Sequence, residues 1–290
     1  MKGIEWYGKA MGLSIALIYF LFFNGNDLFE YISFGLILLT VGIPHGAIDH
    51  LLMSPKIDTR GLVRFLAKYI IIILLYLVVW IYLPLLALIA FLIMSAFHFG
   101  QSHFIEYELS VLKKSTYLFL GIYYLSIILY GEFAYTKSLL ESIVNIENFE
   151  GYGIAITSFS FLVSHILIAY NQPSKVSYFI VEAVVLGFVL YHLPLLLGFI
   201  IYFGFWHALP SMNEEYRVLR KFLGQNTFYN FVKKLMPFTA ISLAGIWILM
   251  AIFYHWMSPN ELILFFFILI SLISAPHIWF MNRFLENKNP

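Results

Sequence analysis

Two histidine pairs with the same spacing lie in apolar surroundings of this sequence. The stretch PHGAIDH carries His45 and His50, and the stretch FHFGQSH carries His98 and His103, with a glycine inside each pair. Neutral imidazole binds iron, copper or zinc through one ring nitrogen, while the other nitrogen donates to a carboxylate or carbonyl that fixes the tautomer. The pattern therefore indicates a metal site, and Asp49 is the nearest carboxylate that could orient a ligand.

The spacing of five does not by itself bring the two imidazoles of a pair together. Five residues of a regular helix turn about 500°, so the two side chains would point roughly 140° apart. A π-bulge or a local break would bring them closer, and Pro44, Gly46 and Gly100 lie where a helix could kink. The alternative is that one member of each pair binds metal and the other orients a ligand or contacts substrate.

The composition places these histidines in an integral membrane protein. The 290 residues are 61% hydrophobic and 11% charged, and the mean hydropathy is +0.85, far above that of soluble domains. The absence of cysteine excludes disulfides and thiolate metal ligands. A net charge of +1, with the basic residues in short loops, gives no reason to expect a nucleic-acid partner.

The apolar runs predict a polytopic, all-α membrane bundle. Breaking them at charges, Pro and Gly gives ten spans of roughly the length that crosses a bilayer, at about 10–24, 28–50, 65–82, 84–104, 115–131, 152–171, 176–193, 195–211, 238–256 and 261–281. If the spans alternate, all but Lys137 of the 17 Lys and Arg residues fall on one face, which the positive-inside rule makes cytoplasmic. We therefore predict one transmembrane catalytic domain over residues 1–290, multi-pass in the inner (plasma) membrane, with both termini cytoplasmic.

This topology brings six histidines to a similar depth near the cytoplasmic face. Polar groups at membrane depth are costly and are usually kept for a pathway, a cofactor or a site. The predicted metal ligands are therefore His45, His50, His98, His103, His207 and His277. Asp49 and Gln101 lie at the same level and are the candidate catalytic residues, with Ser102 beside them. We interpret His192 and His255 as interfacial residues and His165 as a structural one.

Four stretches of the chain resemble, in order, the motifs of the Brp/Blh family of membrane-bound β-carotene 15,15'-dioxygenases. They are GIPHGAIDH at 42–50, SAFHFGQSH at 95–103, FGFWHALPSMNEE at 203–215 and APHIWF at 275–280. The resemblance implies a non-haem Fe(II) enzyme that splits the central double bond of β-carotene with O₂. Two molecules of retinal result, which the family supplies to a microbial rhodopsin. By motif match, metal roles carry over to the same six histidines.

One position departs from the family pattern. Many members have a second histidine four residues after the one that matches His207, whereas this chain has Ser211 there. Either His277 or His103 supplies the ligand instead, or that ligand is not needed.

The physical properties of the chain agree with this chemistry and leave two alternatives. β-Carotene dissolves in the lipid bilayer, and a site of neutral imidazoles carries no excess ligand charge into a medium of low dielectric constant. A membrane di-iron desaturase or hydroxylase would show histidine boxes such as HxxxH or HxxHH, and neither occurs. A divalent-metal transporter would favour carboxylates along a route to both faces, but Asp49 is almost the only acidic residue well inside a predicted span.

Overall fold

The computed structural model describes residues 2–288, and within that range the chain is helical with no strand. The helices, in chain order, are α1 (Lys2–Ile18), α2 (Asp27–Ile37), α3 (Asp49–Met53), α4 (Thr59–Tyr82), α5 (Pro84–Ser102), α6 (Lys113–Gly131), α7 (Phe133–Leu140), α8 (Gly153–Asn171), α9 (Val176–His192), α10 (Leu195–Tyr202), α11 (Leu209–Leu219), α12 (Thr227–Phe253) and α13 (Pro259–Lys288). The predicted all-α class is confirmed.

The number of spans is smaller than the predicted ten. In the described part of the chain, eight helical stretches are long and apolar enough to cross a membrane, or nine if α6 and α7 count as one span. These two helices are bent by 93° where they meet. α9 has 17 residues, a rise of about 26 Å, which is short of a hydrocarbon core of about 30 Å. The apolar helices fit a membrane protein, and the cytoplasmic location of both termini stays a prediction.

Local signals in the sequence explain where several helices begin. The Asn26 side chain accepts the N–H of Phe29 at 2.9 Å and caps α2, and Asp58 caps α4 in the same way. At the start of α13, the Glu261 carboxylate in the first turn accepts the N–H of Ser258 at 2.8 Å, and the Ser258 hydroxyl accepts the N–H of Glu261. This reciprocal arrangement is a capping box, which satisfies two amide groups at the helix start.

Contacts divide the chain into two compact units built from discontinuous segments. The first comprises the chain up to Gly42 with Ser95–Ser138 and Asn145–Ser211, and the second comprises Ile43–Met94, Leu139–Val144 and the chain from Met212. Four of the predicted ligand and catalytic residues fall in each unit. The first unit holds His98, Gln101, His103 and His207, and the second holds His45, Asp49, His50 and His277. The single catalytic domain over 1–290 stays a prediction, and its ends at residues 1 and 289–290 lie outside the described residues.

In the first unit, the end of α5 touches the backbone of α6. A Cβ atom added at Gly100 would overlap the carbonyl oxygen of Tyr117, and one added at Gly121 would overlap that of Ala96. The two glycines therefore let the helix backbones approach closely. α5 runs as one helix from Pro84 to Ser102, so the break that Gly100 could have allowed between His98 and His103 is not present.

Two hydrogen bonds fix the helices that follow in this unit. The Tyr123 hydroxyl on α6 donates to the carbonyl of Ala183 on α9 at 2.8 Å. The Glu132 carboxylate accepts the N–H of Leu195 at 2.8 Å and so caps the start of α10. Since α10 leads directly into the segment that carries His207, these bonds help to set the position of that histidine.

In the second unit, polar side chains join α4 to α13. The indole N–H of Trp80 donates to the Ser271 hydroxyl at 3.0 Å, and the Tyr69 hydroxyl donates to the carbonyl of Ile273 at 3.1 Å. An apolar cluster of Ile48, Leu51, Leu219, Phe231 and Leu235 surrounds α3. The two hydrogen bonds hold α13, which carries His277, and the apolar cluster holds α3, which begins at Asp49.

Because the chain has no cysteine, single cysteines can test the predicted sidedness. We expect a Lys137→Cys variant to react with a membrane-impermeant thiol reagent in intact spheroplasts, and an Arg220→Cys variant to react only after permeabilisation. Labelling of both variants from the same side would contradict the predicted alternation.

The close contact of α5 and α6 predicts a sharp effect of one methyl group. Gly121→Ala should lower the free energy of unfolding by about 1–3 kcal/mol, because the added methyl group meets backbone atoms that cannot rotate away. Gly35→Ala is the matched control, since nothing lies within 4 Å of its added Cβ and alanine favours a helix. Thermal unfolding of the purified variants measures both, and equal melting temperatures would contradict the packing role of Gly121.

Candidate metal centre

The first unit brings His98 and His207 together. His98 lies on α5, and His207 lies on a π-helical turn, Phe203–Ala208, that continues α10. The ring centroids are 4.5 Å apart at an interplanar angle of 71°, and a ligand nitrogen of one ring lies within 4.8 Å of a ligand nitrogen of the other. The side chains are 3% and 0% exposed. Two buried imidazoles at this separation can serve as a pair of ligands for one metal ion.

A hydroxyl group fixes the tautomer of His207. Ser102 Oγ lies 3.0 Å from His207 Nδ1, and the same hydroxyl donates to the Phe99 carbonyl at 2.6 Å. A carbonyl can only accept and a hydroxyl has a single proton, so both contacts are satisfied together when the proton of His207 is on Nδ1 and donates to Ser102 Oγ. The lone pair of His207 is therefore on Nε2, as metal binding through that atom requires.

Aromatic rings surround this pair on the first unit. The rings of Phe99 and Phe203 lie 4.7 and 5.5 Å from that of His207, centroid to centroid. Phe199 stacks on Phe203 at 5.6 Å. The imidazoles thus lie in an apolar, aromatic environment, which suits a hydrocarbon ligand and excludes water.

In the second unit, the backbone is broken where the first histidine pair lies. A π-helical turn at Leu38–Gly42 precedes this unit, and a short 3₁₀ turn at Pro44–Gly46 carries His45 before α3 begins at Asp49. The predicted break between His45 and His50 is therefore present. It directs His45 to His277 of α13, with ring centroids 4.7 Å apart and planes at 87°.

Asp49 orients His277. The Nδ1–H of His277 lies 3.0 Å from both carboxylate oxygens of Asp49, which accept it, and Asp49 is 2% exposed. A carboxylate in this position leaves the lone pair of the ring on Nε2 and is the usual companion of a metal-binding histidine. Gly46 makes room for this ring, since a Cβ there would lie 3.1 Å from His277 Nδ1.

His50 and His103 have other surroundings. His50 is buried against aromatic rings, with Phe238 at 4.8 Å and Phe65 at 6.1 Å between centroids. His103 follows the end of α5 and stacks on Tyr124 at 5.0 Å. The metal roles of both stay predictions. The two histidines of each pair, spaced five residues apart, therefore have different neighbours.

His103 belongs to a charged cluster of the first unit that sequence reasoning did not identify. Its Nε2 lies 3.1 Å from the Tyr202 hydroxyl and its Nδ1 lies 3.8 Å from Glu182 Oε2. Glu182 also forms an ion pair with Lys9 at 2.6 Å and accepts the indole N–H of Trp206 at 3.1 Å. A signal was present, because Glu182 is the single acidic residue in the apolar run of α9.

Gln101, Ser211 and three further histidines lie outside the two facing histidine pairs. Gln101 is buried on α5, and Ser211 is buried on α11. His165 and His192 each donate Nδ1–H to the carbonyl four residues earlier at 2.8 Å, a bond within the residue's own helix. His255 is exposed.

The donors in both units fit iron by their chemistry. Each unit offers one facing pair of buried imidazoles, and in each pair one imidazole is held by a hydrogen bond that leaves Nε2 as the donor atom. Neutral nitrogen ligands of this kind suit iron, copper and zinc, and a hydrogen-bonded partner on the second ring nitrogen raises their basicity.

Comparison with known proteins identifies the family. The model of the family described as beta-carotene 15,15'-dioxygenase matches residues 36–285, a range that includes all six predicted histidine ligands. No curated protein and no solved structure matches the chain. The match supports an enzyme of the dioxygenase type, and it agrees with the resemblance of the four sequence motifs. The chain belongs to the beta-carotene 15,15'-dioxygenase family.

Proposed function

We propose that this protein is an iron-dependent dioxygenase that cleaves the central double bond of β-carotene with O₂ and releases two molecules of retinal. The observation that carries the proposal is the buried pair of His98 and His207, with the tautomer of His207 fixed by Ser102. The family description supports the substrate and the reaction, and the histidine chemistry supports Fe(II) as the metal.

The proposed ligands are assigned unit by unit. In the first unit they are His98 and His207. In the second unit they are His45 and His277, and Asp49 is a positioning residue that acts through His277. This assignment supplies ligands without a histidine at Ser211. His50 and His103 are weaker candidates, because their described neighbours are aromatic rings, Tyr202 and Glu182.

The stoichiometry of the reaction balances with O₂ as the only co-substrate. Adding one O₂ across one carbon–carbon double bond and breaking that bond gives two aldehydes, with one oxygen atom in each. The overall reaction gains and loses no proton. Bound iron would supply the activation of O₂. The protein holds the imidazoles in one tautomer and keeps water away from the site.

Selectivity for the central bond requires that the polyene be held in one register. Many conjugated double bonds of β-carotene are similar, so the position of the chain against the metal decides which one is cleaved. We assign this holding role in the first unit to the aromatic rings of Phe99, Phe199 and Phe203. The hydrocarbon substrate reaches the protein from the lipid bilayer, and retinal passes to a rhodopsin in the same inner membrane.

The proposal predicts that the buried histidines are needed for cleavage and that an exposed one is not. In a bacterium that accumulates β-carotene, the wild-type chain should convert the pigment to retinal, whereas His45→Ala, His98→Ala and His207→Ala should reduce retinal at least about 100-fold. His192→Ala is the control, because His192 is exposed and bonded within its own helix. Chromatography of the extracted pigments measures the product at equal protein abundance.

Retinal formation that survives loss of either His98 or His207 would contradict the assigned ligands. Colour retained with the wild-type chain, although the protein is folded and loaded with iron, would remove β-carotene as the substrate. Products shorter or longer than retinal would place the cleaved bond elsewhere and contradict the proposed register.

The hydrogen bond from His207 to Ser102 predicts an effect on metal affinity separate from activity. Ser102→Ala should weaken iron binding about 10–100-fold, because removing a partner that orients a metal-binding histidine has costs of this size. Titration of the metal-free protein with Fe(II), followed by metal analysis, measures the affinity. Ser160→Ala is the matched control, since this buried serine bonds only to the backbone of α8. Equal affinities of the two variants would contradict the role of Ser102.

A further inference from the structure

A basic pocket lies in the second unit, and no histidine is among its lining residues. It is formed by the end of α3, the loop that follows, the first turns of α4 and the last part of α13, and its volume is about 430 Å³. Four cationic side chains line it: Lys56, Arg64, Lys68 and Arg283. These residues come from three separate segments of the chain, so the charge concentration is created by the fold.

The pocket has a strong positive excess. Its single acidic lining residue, Asp58, is already engaged, because one of its carboxylate oxygens accepts the Gly61 N–H at 2.8 Å as the cap of α4. The four cations against one carboxylate leave a formal charge of +3 in a small volume. An anion in the pocket would relieve the repulsion between the cations.

One side of the pocket is apolar. Phe65 and Phe280 pack with ring centroids 4.6 Å apart, and Met53 and Ile57 complete the lining beside them. Phe280 is 7% exposed, which makes it a fixed part of the wall. A ligand that fits both parts has a compact anionic group joined to an apolar portion.

The pocket also lies at the ends of candidate membrane spans, where anionic groups joined to apolar chains are found. Its residues come from the ends of three candidate membrane spans, Asp27–Met53, Thr59–Tyr82 and Pro259–Glu286. The ends of apolar spans lie at the boundary between hydrocarbon and water, where lipid headgroups are found. Basic residues at this boundary attract anionic lipids, and the guanidinium group of arginine matches the geometry of phosphate oxygens.

We propose that this pocket binds the phosphate of an anionic phospholipid, with the lipid glycerol and upper acyl carbons against Phe65 and Phe280. Arg64 and Arg283 hold the phosphate oxygens, and Lys56 and Lys68 supply further positive charge. A soluble organic phosphate offers the same anionic group without the acyl chains, so the test includes it.

The experiment is native mass spectrometry of the full-length chain in detergent, with added phosphatidylglycerol, phosphatidylcholine or glycerol 3-phosphate. The pocket variant Arg64→Gln with Arg283→Gln is compared with the matched control Arg220→Gln with Lys221→Gln, which removes two exposed cations of the same unit outside the pocket. A second pocket variant, Lys56→Gln with Lys68→Gln, covers the case in which the arginine variant does not fold. Melting temperatures establish which variants are folded.

The wild-type and control chains should retain phosphatidylglycerol in preference to phosphatidylcholine, and a folded pocket variant should bind phosphatidylglycerol at least about tenfold more weakly. Equal retention by pocket and control variants would overturn the proposal, since the attraction would then be unspecific. Retention of phosphatidylcholine as strong as that of phosphatidylglycerol would also overturn it. Binding of glycerol 3-phosphate as tight as that of the lipid, lost in the pocket variant, would replace the lipid by a soluble phosphate.

Discussion

An imidazole buried among apolar side chains must have its second nitrogen satisfied by the protein, and this requirement shapes the candidate site. His207 donates to Ser102 and His277 donates to Asp49. In a medium of low dielectric constant an unpaired N–H is expensive, and a ring free to rotate would present the wrong nitrogen to a metal. Each bond removes the cost and selects the tautomer, so stability and function are served by the same contact.

The backbone around these histidines departs from regular α-helix for a related reason. His207 lies on a π-helical turn, and His45 lies on a 3₁₀ turn between a π-helical turn and α3. A regular helix would direct the side chains by its own repeat of about 3.6 residues per turn. The irregular turns change that direction. Where they carry a histidine, at Phe203–Ala208 and at Pro44 and His45, the backbone is buried in protein, which is where irregular backbone is tolerated.

The first unit uses charge in a different way from the second. Lys9 and Glu182 form an ion pair that also receives the indole of Trp206 and faces His103. A buried ion pair gives little net stability unless further hydrogen bonds complete it, and here Trp206 provides one. The pair fixes α9 to α1 and to the π-helical turn of His207. The cations of the basic pocket, by contrast, are exposed at the ends of helices.

The sequence by itself determined the helical class, the apolar character of the helices and the family, because these depend on composition, periodicity and local motifs; it predicted two more spans than the eight found in the described residues. Gly100 and Glu182 illustrate what it did not determine. The glycine accommodates a neighbouring backbone instead of a kink, and the carboxylate pairs with a lysine more than 170 residues away in the chain. Which histidine faces which, and which nitrogen is left for metal, was decided by tertiary packing. The reason is that a side chain's partners in a helical bundle lie on other helices. The spacing along one helix fixes only the direction in which each side chain points from that helix.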